Sequence, residues 1–368
     1  MKKKKVLFLI YNLNGGGAEK VLLKILEKID LEKFEVDLFL IKKEGVYIKY
    51  FEENLKNKIN LITPYDNVSK NKLFSYFQRK IIHKEVKKCL KEPKKFRKFI
   101  EKKYDTIVSF LEGMSTIYLS EIECNNKIAW VHTNIEKHRL MSLEKEKELY
   151  SKYTKIICVS EQAKKAFLNL YTEFENRVDV IYNPVDSEEI MKKSEEKIES
   201  FRDETFTFVS VGRLVKEKGF DILLKAHKLL LEEGVLNNIV ILGEGSEREK
   251  LEKYIEENNL ENSVKLLGFK ENPYPYIKKS DAVVLSSRYE GFSLVVVESL
   301  VLNKKVISTN CVGPTEILEN GKYGLIVEKE NVISLKEGMK KVIEKAGKEY
   351  EKKYFDIEEI INKIEKIF

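Results

Sequence analysis

Residues 281–300 read DAVVLSSRYEGFSLVVVESL, and two glutamates, Glu290 and Glu298, enclose a run in which Ser293 has the one polar side chain. The opening DAVVLSS is a compact apolar run ending in small polar residues, the pattern of a short buried strand. Gly291 breaks the pattern, and Ser293 stands where a helix over LVVVESLVLNKK (294–305) needs its N-cap. Leu294, Val295, Val301 and Leu302 lie three and four residues from Glu298, which places that carboxylate on the buried face of the helix. Burial there costs roughly several kcal/mol unless strong donors meet the charge. Backbone amides or an arginine used purely for structure would be one way to supply them. Glu290 belongs to the loop at the C-terminal end of the strand, where open α/β sheets bind ligands.

The same alternation runs outward in both directions. In the first half KVLFLIYNL, a glycine turn and the helical AEKVLLKILEKI are followed by FEVDLFLI, INLIT, YDTIVSFLE, KIAWVH, KIICVS and VDVIYNPV. A polar stretch, DSEEIMKKSEEKIESFRDE (186–204), reads as a linker. The rhythm then restarts with FTFVSVGRL, NIVILGEG, VKLLGF, DAVVLSS, KVISTN and YGLIVE, with helical patterns between most of them. This is the βαβ rhythm of parallel sheets. With 368 residues the chain has room for two cores. The expectation is two doubly wound α/β domains, 1–185 and 186–349, with a cleft between them.

Composition narrows the function classes. A chain with 43% hydrophobic and 35% charged residues fits a soluble protein with a heavily charged surface. No apolar run approaches the roughly 20 residues of a membrane span. The N-terminal MKKKKVLFLIYNLNGGG mimics a signal peptide, but its apolar core is too short and no cleavage site follows. Cys89, Cys124, Cys158 and Cys311 are far apart and form no metal or disulfide pattern, which suits a reducing cytoplasm. Residues 1–185 hold 37 Lys and Arg against 25 Asp and Glu, while the remainder is net acidic. Much of that excess lies in RKIIHKEVKKCLKEPKKFRKFIEKK (79–103), which reads as an amphipathic helix broken near Pro93. Either it is a solvated face of its own domain or it meets an anionic membrane surface, the partner favoured here. Nucleic acid is not expected, because stacking residues beyond Phe96 and Phe99 and any recognised motif are lacking.

Three further segments carry candidate chemistry. In NLNGGGAEK (12–20) consecutive glycines let a ligand approach the backbone at a helix start, though neither the dinucleotide fingerprint nor a P-loop is present. VGRLVKEKGF (211–220) occupies the corresponding place in the second half, and Arg213 and Lys218 there are two cations suited to a shared diphosphate. AWVHTN (129–134) puts His132 at a strand end, where a satisfied structural histidine is the commoner outcome. His83, His138 and His227 draw no functional expectation.

Taken together, GGGAEK, VHTN, CVSE, YNPVD, VGRLVKEKGF, ILGEG, EGFSLVVVE, GPTEIL and NGKYGLIV make the chain resemble the retaining glycosyltransferases of family 4 over essentially its whole length. The resemblance implies the GT-B fold, two Rossmann-like domains facing a central cleft, with the terminal helix within 350–368 packing back on the first domain. It implies that Glu298 grips the ribose hydroxyls of a nucleotide and that Glu290 addresses hydroxyls of the transferred sugar. Gly291 and the amides of Phe292, Ser293 and Leu294 would lie near the phosphates. Arg213 and Lys218 would neutralise the diphosphate in place of a metal, with Gly16 and Gly17 closing over it. His132 would stand near the reacting centre, and the base against residues 266–272, including Phe269. The implied activity is metal-free, cofactor-free transfer of a hexose or N-acetylhexosamine from a UDP-sugar. The acceptor would be a glycan or lipid-linked saccharide at the inner face of the plasma membrane. The alternative is a catalytically idle nucleotide-sugar sensor on the same fold.

Overall fold

Every apolar run named above forms a strand in the computed structural model, and every strand pair among the described residues is parallel. The structure describes residues 2–14, 16–64, 80–81, 84, 92–100, 102–133, 135, 139, 141–199, 204–344 and 357–368. They fall into two units, Met1–Pro184 with Ile357–Phe368, and Val185–Asp356.

The first unit is built on β1 (Lys4–Ile10), β2 (Phe34–Leu40), β3 (Asn60–Ile62), β4 (Thr106–Ser109), β5 (Asn126–Val131), β6 (Lys155–Cys158) and β7 (Val178–Val180). Their spatial order is β3-β2-β1-β4-β5-β6-β7. The sequence progression along this order reverses between β1 and β4 while the strands stay parallel, and that is the switch point where doubly wound sheets bind ligands. Both faces are covered, so β1 is buried through Val6–Ile10 and reads as a continuous apolar run. On one face Leu7, Leu9, Ile107 and Ala129 pack with Phe39, Phe96 and Tyr118. On the other, Phe368 meets Phe8 and Phe34 edge-on with ring centres 5.6 and 5.7 Å away. That contact fixes the amphipathic terminal helix Ile357–Lys366 to this unit, helped by Asn126 Nδ2 donating to Ile367 O at 2.8 Å. Thr106 Oγ1 adds a bond to Phe368 O at 3.1 Å.

The basic run is largely outside the described residues, and its helical expectation cannot be compared beyond residues 80–81, 84, 92–100 and 102–103. Pro93–Phe99 is a 3₁₀ helix. Its Phe96 is fully buried and stacks on Tyr118 at 4.2 Å and 9°. Phe99 and Ile100 pack against the same core. The aromatic residues of this segment therefore serve their own unit, while Lys94, Lys95, Arg97 and Lys98 remain exposed.

The second unit repeats the scheme with β8 (Thr207–Val211), β9 (Asn238–Leu242), β10 (Val264–Leu266), β11 (Ala282–Leu285), β12 (Lys305–Thr309) and β13 (Leu325–Val327). The order is β10-β9-β8-β11-β12-β13, so the switch point lies between β8 and β11. The helix expected over 294–305 spans only Leu294–Val301. Asn303 turns left-handed at φ 52°, and Lys305 already starts β12.

His227 is fully buried on the helix Phe220–Glu232, where it binds Asn237 Oδ1 at 2.8 Å and Ser263 Oγ at 2.9 Å. Burial lowers its pKa to about 4, against a smaller opposing effect of Asn237. The folded chain keeps this imidazole neutral, whereas the unfolded chain protonates it below its ordinary pKa near 6.5. Its contribution is therefore intact above pH 6.5 and lost as pH falls toward 4, at about 1.4 kcal/mol per pH unit. Urea titrations from pH 7 to pH 4.5 should show a shallower acid-side loss for His227→Gln than for the native chain; equal slopes would contradict this origin.

Candidate active site

At the β8/β11 switch point two loops leave adjacent strands and bring their charged groups together. Lys218 Nζ lies 2.9 and 2.7 Å from Glu290 Oε1 and Oε2. The Lys218 stem lies along Gly212, with a Cβ there 3.5–3.6 Å away in ordinary van der Waals contact. Lys218 ends the 3₁₀ turn Lys216–Lys218, and Gly219 at φ 65° starts the next helix. A Cβ on Gly219 would be 2.1 Å from Ser286 O, so the turn lies directly against the end of β11. Arg213 is exposed on the same loop and has no ion-pair or hydrogen-bond partner for its side chain among the described residues. Arg288 completes the junction through a bidentate pair with Asp221 at 2.9 and 2.8 Å. Burial would raise the Asp221 pKa, but this hydrogen-bonded charge outweighs it and holds the carboxyl below its ordinary value.

Glu298 is 4% exposed, as its helical neighbours predicted, and Tyr274 Oη donates to its Oε1 at 3.3 Å. Ser293 precedes the helix Leu294–Val301 as expected but makes no capping bond with its side chain; its Oγ is fully buried with no partner among the described residues. The loop carrying Glu290, Gly291 and Phe292 rests on a neighbouring helix, Val312–Ile317, where Gly313 N donates to Glu290 O at 3.2 Å. A Cβ on Gly313 would fall 2.5 Å from Gly291 O and 2.7 Å from Phe292 Cα. Beneath the loop the Cys311 thiol donates to Ser287 O at 3.1 Å. Burial raises its pKa, Thr309 opposes, and the Glu290 charge raises it further. Phe269, expected beside a base, is 41% exposed and follows Gly268 at φ 73°.

In the first unit Gly16 caps the helix Gly17–Lys28, while Gly15 lies outside the described residues. The Glu19 carboxylate folds back over this helix start: a Cβ on Gly16 would stand 2.2 Å from its Oε2. An acid there suits the positive end of the helix. His132 follows β5 and is 8% exposed. Glu112, after β4, accepts from the His132 amide at 2.8 Å and from Thr133 Oγ1 at 2.5 Å. Burial drives the His132 pKa down to about 3, only partly opposed by a hydrogen bond to the Phe110 backbone. The imidazole is neutral, and its buried Nε2 has no hydrogen-bond partner among the described residues. With the other nitrogen donating to Phe110, Nε2 offers a lone pair and acts as an acceptor.

The structure thus unites Lys218 with Glu290 and sets Arg213, Gly291, Phe292, Ser293, Leu294 and Glu298 on the same two loops and helix. It places Gly16, Gly17 and His132 at strand ends of the other unit. Arg288, Asp221, Tyr274 and Glu112 were not picked out by sequence reasoning. For Arg288 the available signal was its position two residues before Glu290. Among the described residues no group of three or more His, Cys, Asp or Glu could hold a metal ion.

A family described as Glycosyl transferases group 1 matches residues 191–357. The chain is 31% identical over 315 residues to an uncharacterized glycosyltransferase of Methanocaldococcus jannaschii, covering 77% of each. It is 30% identical over 354 residues to a Campylobacter jejuni protein, covering 94% of this chain and 92% of that one. That relative is named N-acetylgalactosamine-N,N'-diacetylbacillosaminyl-diphospho-undecaprenol 4-alpha-N-acetylgalactosaminyltransferase. Among solved structures, Anabaena HepE, crystallised with UDP and glucose, shares the fold with a TM-score of 0.76 at 19% identity. The match covers 99% of this chain and 98% of HepE.

Gly313→Ala should displace the Glu290–Phe292 loop, because the atoms it meets are backbone. The expected cost is about 1–3 kcal/mol, seen as a lower melting temperature together with faster amide exchange at residues 290–293. A variant unchanged in both would show that the close approach is not needed.

Proposed function

The chain belongs to the group 1 glycosyl transferases, and we propose that it moves a hexose or N-acetylhexosamine from a UDP-sugar to a glycan or lipid-linked saccharide. The transfer retains anomeric configuration and uses neither a metal nor another cofactor. The observation that carries this reading is the Lys218–Glu290 pair at the β8/β11 switch point, with Lys218 Nζ 2.7 Å from Glu290 Oε2. A cation beside a helix start suits a diphosphate, and a carboxylate next to it suits sugar hydroxyls.

The chemistry follows from charge. Breaking the bond between sugar and phosphate sends an electron pair to the diphosphate and leaves the sugar oxocarbenium-like. Lys218 and Arg213 stabilise the departing charge, aided by the Ser293 and Leu294 amides at the helix start. A diphosphate that engages Lys218 draws it from Glu290, whose oxygens then accept from hydroxyls of the sugar. One charge pair thereby serves both sides of the breaking bond. Glu298, with Tyr274 on one oxygen, takes the ribose hydroxyls, and the base lies against residues 266–272 beside Phe269. Gly291 and Phe292 shape the turn under the sugar. For the first unit, the family resemblance assigns Gly16 and Gly17 to the diphosphate and His132, as a neutral acceptor, to a hydroxyl at the reacting centre. The acceptor hydroxyl attacks on the face the diphosphate leaves and gives its proton to the departing phosphate oxygen, and no covalent glycosyl-enzyme forms.

The Campylobacter relative, named for transfer to a diphospho-undecaprenol-linked saccharide, supports a lipid-linked acceptor. The choice of UDP follows the resemblance of the GPTEIL segment to those of capsule and protein-glycan transferases. Among the described residues no helix is long and apolar enough to cross a membrane. The proposed location is peripheral, at the cytoplasmic face, with the exposed Lys94, Lys95, Arg97 and Lys98 meeting anionic lipid.

Lys218→Ala and Glu298→Gln should each lower sugar transfer roughly 10²-fold or more with the melting temperature retained, and EDTA should leave native activity intact. Full activity in both variants, or transfer that requires added Mn²⁺, would refute the assignment. For the membrane clause, replacing those four basic residues with Gln should weaken cosedimentation with phosphatidylglycerol vesicles, and unchanged binding would remove it.

A further inference from the structure

Three consecutive carbonyls in the turn that carries Lys218 are each taken by the segment that leads into Glu290. Arg288 Nη1 donates to Lys216 O at 2.6 Å, and the Arg288 amide to Glu217 O at 2.7 Å. Ser286 Oγ donates to Lys218 O at 3.0 Å. The Arg288 guanidinium also forks onto Asp221, in the first turn of the helix Phe220–Glu232, at 2.9 and 2.8 Å. Its Nε faces Glu330 at 3.4 Å. One planar group therefore grips the chain both before and after Lys218, and its own backbone stands two residues from Glu290. The side chain is 13% exposed. Planarity and five fixed donors allow this double grip, which a lysine ammonium cannot reproduce.

We infer that Arg288 is a positioning residue which, by joining Lys216 O to the Asp221 carboxylate, sets the place of Lys218 relative to Glu290. Arg288 spends its donors on the protein, so it acts through Lys218. The inference rests on the reading of Lys218 as the diphosphate ligand. If Arg288 merely added stability, its loss would weaken ligand binding to the same extent whether or not Lys218 is present. A positioning role makes the loss depend on Lys218, which a double-variant cycle measures.

The test is UDP affinity, by calorimetry on the full chain, for native protein, Arg288→Met, Lys218→Met and the double variant. Arg288→Met should weaken UDP binding about tenfold beside Lys218 and less than about twofold in the Lys218→Met background. Asp221→Asn, which keeps its shape, should behave in the same way and carries the test if Arg288→Met does not fold. Glu233→Gln removes contacts to Lys336 and Lys340 elsewhere in this unit and should leave UDP affinity unchanged. Equal losses in both backgrounds would overturn the inference, as would native affinity in Arg288→Met and Asp221→Asn while Lys218→Met is weakened. Native affinity in Lys218→Met would instead sink the diphosphate reading itself.

Discussion

A lysine and a glutamate on the loops that follow two adjacent parallel strands meet because the sheet of the second unit reverses its order between them. Connections on either side of that point run to opposite faces, so the loops after β8 and β11 have the strand ends to themselves. Their approach is set by the backbone. Carbonyls of Lys216, Glu217 and Lys218 are spent on residues 286–288, and Gly219 has no side chain to hold the loops apart. The 2.7 Å contact between Lys218 and Glu290 follows from that fit.

The pair contributes little to holding the fold together. Its side chains retain only 24% and 12% exposure, so the cost of drawing two charges partly out of water offsets much of their attraction. Stability lies instead in the apolar layers, where truncating a fully buried aromatic such as Phe96 costs about 3–5 kcal/mol. A weakly stabilising pair at a ligand-binding edge can exchange partners without loosening the domain. That property suits the proposed function, in which an incoming diphosphate competes for the cation.

The two units present different electrostatics at equivalent strand ends. In the second unit the edge carries full charges of both signs, tied together by Arg288. In the first, burial keeps His132 neutral, and the nearby Glu112 spends its carboxylate on the His132 amide and the Thr133 hydroxyl. A neutral imidazole there offers a lone pair without adding charge. The same economy appears in Pro93–Phe99, whose aromatic residues complete a core and leave the lysines outside.

Strand positions, the parallel architecture and the burial of Glu298 were readable from the chain, since each depends on neighbours within one element. Period and run length suffice for a strand, and helical spacing suffices to put Glu298 among Leu294, Val295, Val301 and Leu302. Pairings across elements were not readable. Arg288 and Asp221 are 67 residues apart, Tyr274 and Glu298 are 24, and Glu112 and the His132 amide are 20. Each forms because strand order and crossover direction bring particular loops to one edge, and no local pattern encodes that order. Phe96 shows the same limit: its run left open packing on its own domain or contact with a membrane, and the fold packs Phe96 against Tyr118 and the core.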